Sequence, residues 1–158
     1  MAAKKETKPR FTEARNAKVH RDYFVGETVE AGLVLTGTEV KAIREGKAQI
    51  NESFARIEPN GNPVLYHAHI EEYSHGNRHN HNPVRPRKLL LHKKEILRLK
   101  HEIEAGGQAL IPTRLYFKQG LVKVALALCK GKKQYDKRDD LKKKTALREA
   151  DRAISWRR

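Results

Sequence analysis

In the stretch Thr28-Val-Glu-Ala-Gly-Leu-Val-Leu35, the apolar residues Val29, Ala31, Leu33 and Leu35 alternate with Thr28, Glu30 and Gly32, and Thr36-Gly-Thr-Glu39 follows directly. A period of two predicts a half-buried strand, here with Glu30 on the face opposite Leu33. Thr36 and Glu39 have the spacing of a capping box, with Thr36 as the N-cap and Glu39 as the third helical residue, so a helix should begin there and end near Gly46. A strand that leads straight into a short helix indicates a mixed, β-rich fold.

Short strands continue on the C-terminal side of this helix. Strands at 53–58 and 64–70 are predicted to flank Asn60-Gly61, which accepts the positive φ angles of a tight hairpin. A long polar loop at 74–86, a strand at 88–91 and a helix at 92–105 precede a last hairpin formed by 109–117 and 121–129. About six antiparallel strands with two or three short helices predict a mostly β (α+β) body. Periodicity leaves open whether the sheet closes into a small barrel, and whether the small outer face around Ala125 meets a helix or RNA.

The charge of the chain points to a polyanionic partner. The formal net charge is +15, and residues 130–158 hold twelve Lys or Arg against five Asp or Glu, a net of +7. A surplus of this size suits nucleic acid, because membrane binding would need an amphipathic helix with a bulky apolar face. The basic start has no apolar run behind it, no stretch is long enough to span a membrane, and Cys129 is the only cysteine. We therefore expect a cytoplasmic protein with no disulfide and no membrane partner.

These patterns divide the chain into three parts. Residues 1–15 are predicted to be a flexible N-terminal segment, 16–130 the folded body, and 131–158 a basic tail. The tail has only a weak apolar stripe from Asp139 onward, so alone it should be disordered or marginally helical. We expect it to order when it meets RNA.

Catalytic and metal-binding motifs are missing from the sequence. Five histidines lie between His67 and His81, without the Cys or carboxylate spacing of a zinc site, so a solvated loop is the preferred interpretation. No nucleophile elbow, phosphate loop or dinucleotide fingerprint occurs. The sequence predicts a protein that is not an enzyme and needs neither cofactor nor metal.

Two segments place aromatic rings beside positive charge. They are Arg21-Asp22-Tyr23-Phe24 and Lys132-Lys133-Gln134-Tyr135. Cations neutralise phosphates, and an exposed ring can stack on an unpaired base. Phe24 is interpreted as half-buried core, whereas Tyr135 has almost only charged neighbours and is predicted to stack.

Four strings, in this order, resemble the SsrA-binding protein (SmpB) family, the protein partners of bacterial tmRNA. They are Asn16 with His20-Arg-Asp-Tyr-Phe24, Glu30-Ala-Gly-Leu-Val-Leu-Thr-Gly-Thr-Glu-Val40, Arg85-Pro-Arg-Lys-Leu-Leu-Leu-His92 and Lys130-Gly-Lys-Lys-Gln-Tyr-Asp-Lys-Arg138. The resemblance implies an OB-like barrel without catalytic activity. It also implies tRNA mimicry, in which the protein replaces the missing anticodon arm of tmRNA. The complex, alanylated and carried by elongation factor Tu, would enter stalled ribosomes for trans-translation.

The resemblance also assigns residues to two tasks. Contacts with the tRNA-like domain of tmRNA would come from Asn16, Arg21, Tyr23, Glu30, Leu90 and Lys123. The ribosomal decoding centre and empty mRNA channel would meet Lys132, Lys133, Tyr135, Asp136, Lys137, Arg138, Ile154 and Trp156. Two other classes stay open from the residues themselves: a general OB-type or ribosomal RNA-binding module, and a metal-dependent RNA-processing enzyme that uses the histidines.

Overall fold

The computed structural model describes residues 13–76 and 79–156. Nine strands are present in these ranges: β1 (Ala14–Arg15), β2 (Tyr23–Leu33), β3 (Ala48–Gln49), β4 (Phe54–Ile57), β5 (Pro63–Tyr66), β6 (His69–Ile70), β7 (Arg87–Leu90), β8 (Ala109–Lys118) and β9 (Leu121–Gly131). Four helices join them: α1 (Val19–Asp22), α2 (Gly37–Arg44), α3 (Lys93–Gly106) and α4 (Gln134–Trp156). The segment predicted to be flexible is 1–15, and its residues 1–12 lie outside the described residues. Ala14 and Arg15, which the prediction included, instead form β1 and pair with β8.

The strand pairings close into a ring. The order is β1-β8-β4-β5-β7-β2-β9, and β9 pairs back onto β8, so six antiparallel strands form a complete circuit. β1 is an additional edge strand, and β3 with β6 forms a separate pair. The predicted antiparallel body of about six strands is confirmed. The ring also shows that the sheet closes on itself, which periodicity left open.

The main core fills the inside of this ring. The predicted alternation along β2 is confirmed, because Val29 and Ala31 are buried while Glu30 is exposed. Helices α2 and α3 contribute Ile43 and Leu99, each fully buried. Burial of such side chains, at roughly 25 cal/mol per Å² of apolar surface, is the main driving force for this body. The other leucines and isoleucines of the core are Ile50, Leu65, Ile70, Leu89, Leu110, Leu115, Leu126 and Leu128.

A second, smaller core lies on the outer face of β9. Val19 of α1 packs with Ile111, Ala127 and Cys129. Burial raises the pKa of the Cys129 thiol to about 11. The small residues of β9 therefore leave room for helix α1. Of the two occupants that the sequence left open, a helix or RNA, the helix covers this part of the face.

A buried ion-pair network fastens the long loop before β7 to helix α2. Glu39 is fully buried and accepts hydrogen bonds from Arg85 Nε and Nη2 at 2.7 Å, from Arg87 Nε at 2.9 Å and from the Thr36 N–H at 2.8 Å. The Thr36 contact is part of the predicted capping box, which is confirmed. Burial opposes ionisation of Glu39, but these donors outweigh it and hold the pKa of the carboxyl below its usual range.

The five histidines interpreted as a solvated group differ in exposure: His67, His75 and His79 are exposed, as that interpretation expects, whereas His81 is not. His81 is buried, with Nδ1 2.9 Å from Thr38 Oγ1 and Nε2 2.9 Å from the Ile70 carbonyl oxygen. His67 and His75, although exposed, also contact aromatic rings. Within 13–76 and 79–156, no three His, Cys, Asp or Glu side chains come together as a metal site.

The tail begins in a way the sequence did not indicate. β9 continues to Gly131, and α4 starts at Gln134 rather than near Asp139. A helix was expected for the tail, and α4 is helical over 23 residues with none of them buried.

Candidate nucleic-acid interface

Three of the predicted RNA contacts lie together in one groove. Glu30, Leu90 and Lys123 come from β2, β7 and β9, which are neighbours in the ring. Gly32 is opposite both Leu90 and Lys123, and a Cβ added at Gly32 would lie 3.1 Å from Leu90 Cβ. The groove has a volume of about 510 Å³ and is lined by Glu30, Gly32, Leu90, Leu91, His92, Glu95 and Lys123. We call it the Glu30 groove.

The carboxylate of Glu30 is held in place by β8. The Tyr116 hydroxyl donates a hydrogen bond to it, and Lys118 Nζ lies 3.2 Å and 3.4 Å from its two oxygens. These contacts hold the pKa of Glu30 below its usual range. Burial and the neighbouring carboxylate raise the pKa of Tyr116 to about 12, so its hydroxyl stays a donor. The groove thus offers a fixed acceptor for base amino groups, a lysine for a phosphate and an exposed leucine.

Tyr116 and Lys118 were missed by the sequence analysis. The alternation of β8 places them with Arg114 on the outer face, and the hairpin pairs Tyr116 with Lys123. The predicted turn at Lys118-Gln119-Gly120 would have been enough to predict this register. Its residues Gln119 and Gly120 have φ angles of 51° and 77°. A hairpin register with a predicted contact on one strand therefore identifies candidate partners on the other.

Tyr23 shares the outer face of β2 with Glu30 because of a β-bulge. The two residues are seven apart, so uninterrupted alternation would place them on opposite faces. A register shift between Val25 and Thr28 adds one residue, and their partners on β9, Gly131 and Ala125, differ by an even number. Two of the predicted contacts consequently lie roughly 20 Å apart along one surface.

The other predicted contacts of the body surround helix α1 and differ in accessibility. Arg21 is exposed and forms a two-fold ion pair with Asp22, at 3.1 Å and 3.3 Å. Asn16 is buried, and both ends of its amide are hydrogen-bonded within the protein. Its Nδ2 donates to the Pro112 carbonyl oxygen at 3.0 Å, and its Oδ1 accepts from the Lys18 N–H at 3.1 Å. The side chain of Asn16 therefore shapes the segment before α1 from within the protein.

The beginning of the tail is attached to α1. Lys132 Nζ donates to the His20 carbonyl oxygen at 2.9 Å, pairs with Asp140 and lies 5.0 Å from the centre of the Phe24 ring. Only 9% of the Lys132 side chain is exposed. Lys132, which was expected to contact the ribosome, therefore forms contacts within the protein. Phe24 was interpreted as half-buried core, but it is 51% exposed.

Other tail residues divide between internal contacts and free surface. Lys137 Nζ lies 3.2 Å from Asp22 Oδ1, and Asp136 Oδ2 accepts from the Lys133 N–H at 3.2 Å. The Arg21 hydrogen bond, aided by Lys137, lowers the pKa of Asp22. The side chains of Tyr135, Arg138, Ile154 and Trp156 are exposed, Trp156 to 91%. The part of the chain that the structure describes has no helix long and apolar enough to cross a membrane.

Comparisons with known proteins match nearly the whole described chain. The profile of the SmpB protein family matches residues 13–156. The SsrA-binding protein of Desulforudis audaxviator is 57% identical over 145 residues, 92% of this chain and 94% of that protein. The SsrA-binding protein of Shouchella clausii is 55% identical over 144 residues, covering 91% and 92%. A solved structure described as "tmRNA-SmpB: a journey to the center of the bacterial ribosome" contains a chain that is 43% identical with a TM-score of 0.65, covering 77% of this chain and 85% of that one.

Proposed function

The chain belongs to the SmpB protein family, and from that membership we propose that it binds the tRNA-like domain of tmRNA and brings it to stalled ribosomes for trans-translation. The observation that carries this proposal is the Glu30 groove, where three residues expected to touch tmRNA meet although they are distant in sequence. Binding and placement, without catalysis, would account for the activity.

A single carboxylate separates specific recognition from attraction by charge. Glu30→Ala makes the protein more positive, so a pure charge mechanism predicts tighter RNA binding. If the Glu30 carboxylate accepts hydrogen bonds from bases, the same change should weaken binding to the isolated tRNA-like domain by about tenfold. Glu27→Ala is the matched control, because Glu27 is on the same strand and pairs with Arg98 at 2.8 Å, outside the groove. Equal or tighter binding by Glu30→Ala would contradict the proposal.

We assign the tail a separate task. Lys132 belongs to the body through His20 and Phe24, so the functional tail would begin at α4. Exposed Tyr135 and Arg138, with Lys133, Asp136 and Lys137 around them, would meet the decoding centre. Ile154 and Trp156 would supply apolar contacts in the empty mRNA channel. Tyr135 is 63% exposed, which suits stacking on a ribosomal base.

Further partners follow from the same proposal. Elongation factor Tu would act indirectly, through alanyl-tmRNA, and the work would take place on ribosomes in the bacterial cytoplasm. A general RNA-binding module would share the basic surface but would bind tRNA as well as it binds tmRNA. Competition by unlabelled tRNA in the same binding assay distinguishes the two.

A further inference from the structure

An aromatic surface outside the Glu30 groove has no role in the function proposed above. Phe54 on β4 and Tyr66 on β5 are cross-strand partners, and their ring centres lie 5.5 Å apart with an angle of 20° between the planes. His67 continues the row, 5.4 Å from Phe54 at an angle of 29°. We call these three rings the aromatic row.

The rings lie at the surface rather than in the core. Phe54 is 39% exposed, His67 is exposed, and Tyr66 is half-buried, with its hydroxyl donating to Glu58. The adjacent residues of the two strands, Ala55 and Leu65, are buried on the other face. His67 follows β5 directly and has a φ of 60°, a conformation that costs free energy in a non-glycine residue. Nearly parallel, exposed rings form a platform for another flat, aromatic group.

A pair of cations lies beside the aromatic row. Arg56 and Lys88 are both exposed, and both are opposite Val64 of the intervening strand. Arg56 is two residues from Phe54 on β4. Lys88 is opposite Val64, which is two residues from Tyr66 on β5, so both cations occupy the next outward position of the sheet. Rings for a base next to cations for its phosphate are the composition of a single-stranded nucleic-acid site.

The aromatic row is continuous with both parts of the proposed tmRNA surface. Phe54 lines a hollow of about 130 Å³ together with Asn16, Lys18 and Tyr23. On the other side, Lys88 is two residues from Leu90 of the Glu30 groove, on the same outward face of β7. An RNA that contacts Tyr23 and Leu90 would border the aromatic row on two sides.

From this arrangement we propose that Phe54, Tyr66 and His67 stack on an unpaired base of the tRNA-like domain of tmRNA, with Arg56 and Lys88 near its phosphate. The inference rests on the proposed function and adds a third contact region to it. Stacking carries no charge, so its loss should leave the dependence of binding on salt unchanged.

Phe54→Ile tests the stacking, because isoleucine keeps strand propensity and apolar volume but has no ring. We expect about tenfold weaker binding of the isolated tRNA-like domain, with an unchanged slope of log Kd against log salt. Arg56→Gln should instead reduce that slope by about one. Leu97→Ala, which removes an exposed apolar side chain 68% accessible on α3, is the control and should bind as the wild type does.

Three results would overturn the inference. The first is wild-type affinity for both Phe54→Ile and His67→Asn, the latter chosen because asparagine tolerates positive φ. The second is a Phe54→Ile protein that binds tmRNA with unchanged affinity but no longer supports tagging on stalled ribosomes, which would mean that the stacked base belongs to ribosomal RNA. The third applies if the Phe54→Ile protein fails to fold. The wild-type complex is then crosslinked with ultraviolet light, and the absence of an RNA adduct on peptides containing residues 54 or 66 would overturn the inference. If the wild type itself does not bind tmRNA, the proposed function fails, and that result is distinct from the other three.

Discussion

Removing the charge of Glu39 should destabilise the protein severely while leaving the RNA-binding surface chemically intact. Glu39→Gln keeps the volume of the side chain but places an amide N–H₂ group among donors. The substituted residue would face Arg87, which is fully buried, and Arg85, whose side chain is 31% exposed. Burial lowers the pKa of Arg87, and the Glu39 carboxylate opposes that shift.

The expected loss follows from the number of contacts that the carboxylate accepts. Three guanidinium N–H groups and the Thr36 N–H converge on it within 2.9 Å. Breaking a buried ion pair from one side costs about 3–5 kcal/mol, because the remaining charge stays buried. Urea unfolding followed by circular dichroism should show a midpoint lower by roughly 2 M. Glu95→Gln is the matched control: Glu95 has the same capping position in α3, 3.2 Å from the His92 N–H, and should cost about 1 kcal/mol or less.

The pH dependence gives a second criterion. The pKa of Glu39 is lowered in the folded protein, so its contribution is complete above the unfolded value of about 4.3 and is lost as pH falls through the folded value. The difference in unfolding free energy between wild type and Glu39→Gln should be constant from pH 6 to 8 and shrink below about pH 4. A difference under 1 kcal/mol at pH 7, or one that persists undiminished to pH 3, would refute the reasoning.

Three further changes separate the parts of the proposed mechanism. Tyr116→Phe should weaken binding of the tRNA-like domain by about fivefold in fluorescence anisotropy, yet have no effect in a Glu30→Ala background; equal effects in both would show that Tyr116 does not act through Glu30. Lys132→Met should accelerate hydrogen exchange in the first turns of α4 and reduce tagging, with tmRNA affinity changed less than about threefold. Unchanged exchange would contradict the attachment of the tail to α1 through the Lys132 side chain. Deletion of 134–158 should preserve tmRNA affinity and abolish tagging of stalled translation products, and loss of tmRNA binding would show that the body and tail do not act separately.

Local sequence predicted most of the elements but missed β1, α1 and the β3–β6 pair, began β2 five residues late and placed the start of α4 too far along the chain. The alternation of 28–35, the capping box at Thr36 and the hairpin turn at Gly120 each specify their structure within a few residues, so they were predictable. The start of α4 was predicted too late, and no local pattern indicates that Lys132, just before it, is held by the His20 carbonyl oxygen, 112 positions away. The RNA contacts inferred from resemblance stay predictions, although the structure places Glu30, Leu90 and Lys123 in one groove.

The sequence by itself determined that this protein has a β-rich, basic body with a helix-forming tail, and family membership followed from strings that can be read directly. Only the tertiary structure decided how those elements are joined. The ring closes because β9 pairs with both β2 and β8, and Glu39 finds its arginines 46 and 48 residues away. The bulge after Val25 returns Tyr23 to the face of Glu30. The physical reason is that a local pattern records which side of an element is apolar, whereas register, bulges and buried charge pairs are fixed by the partner strand and the packing around it.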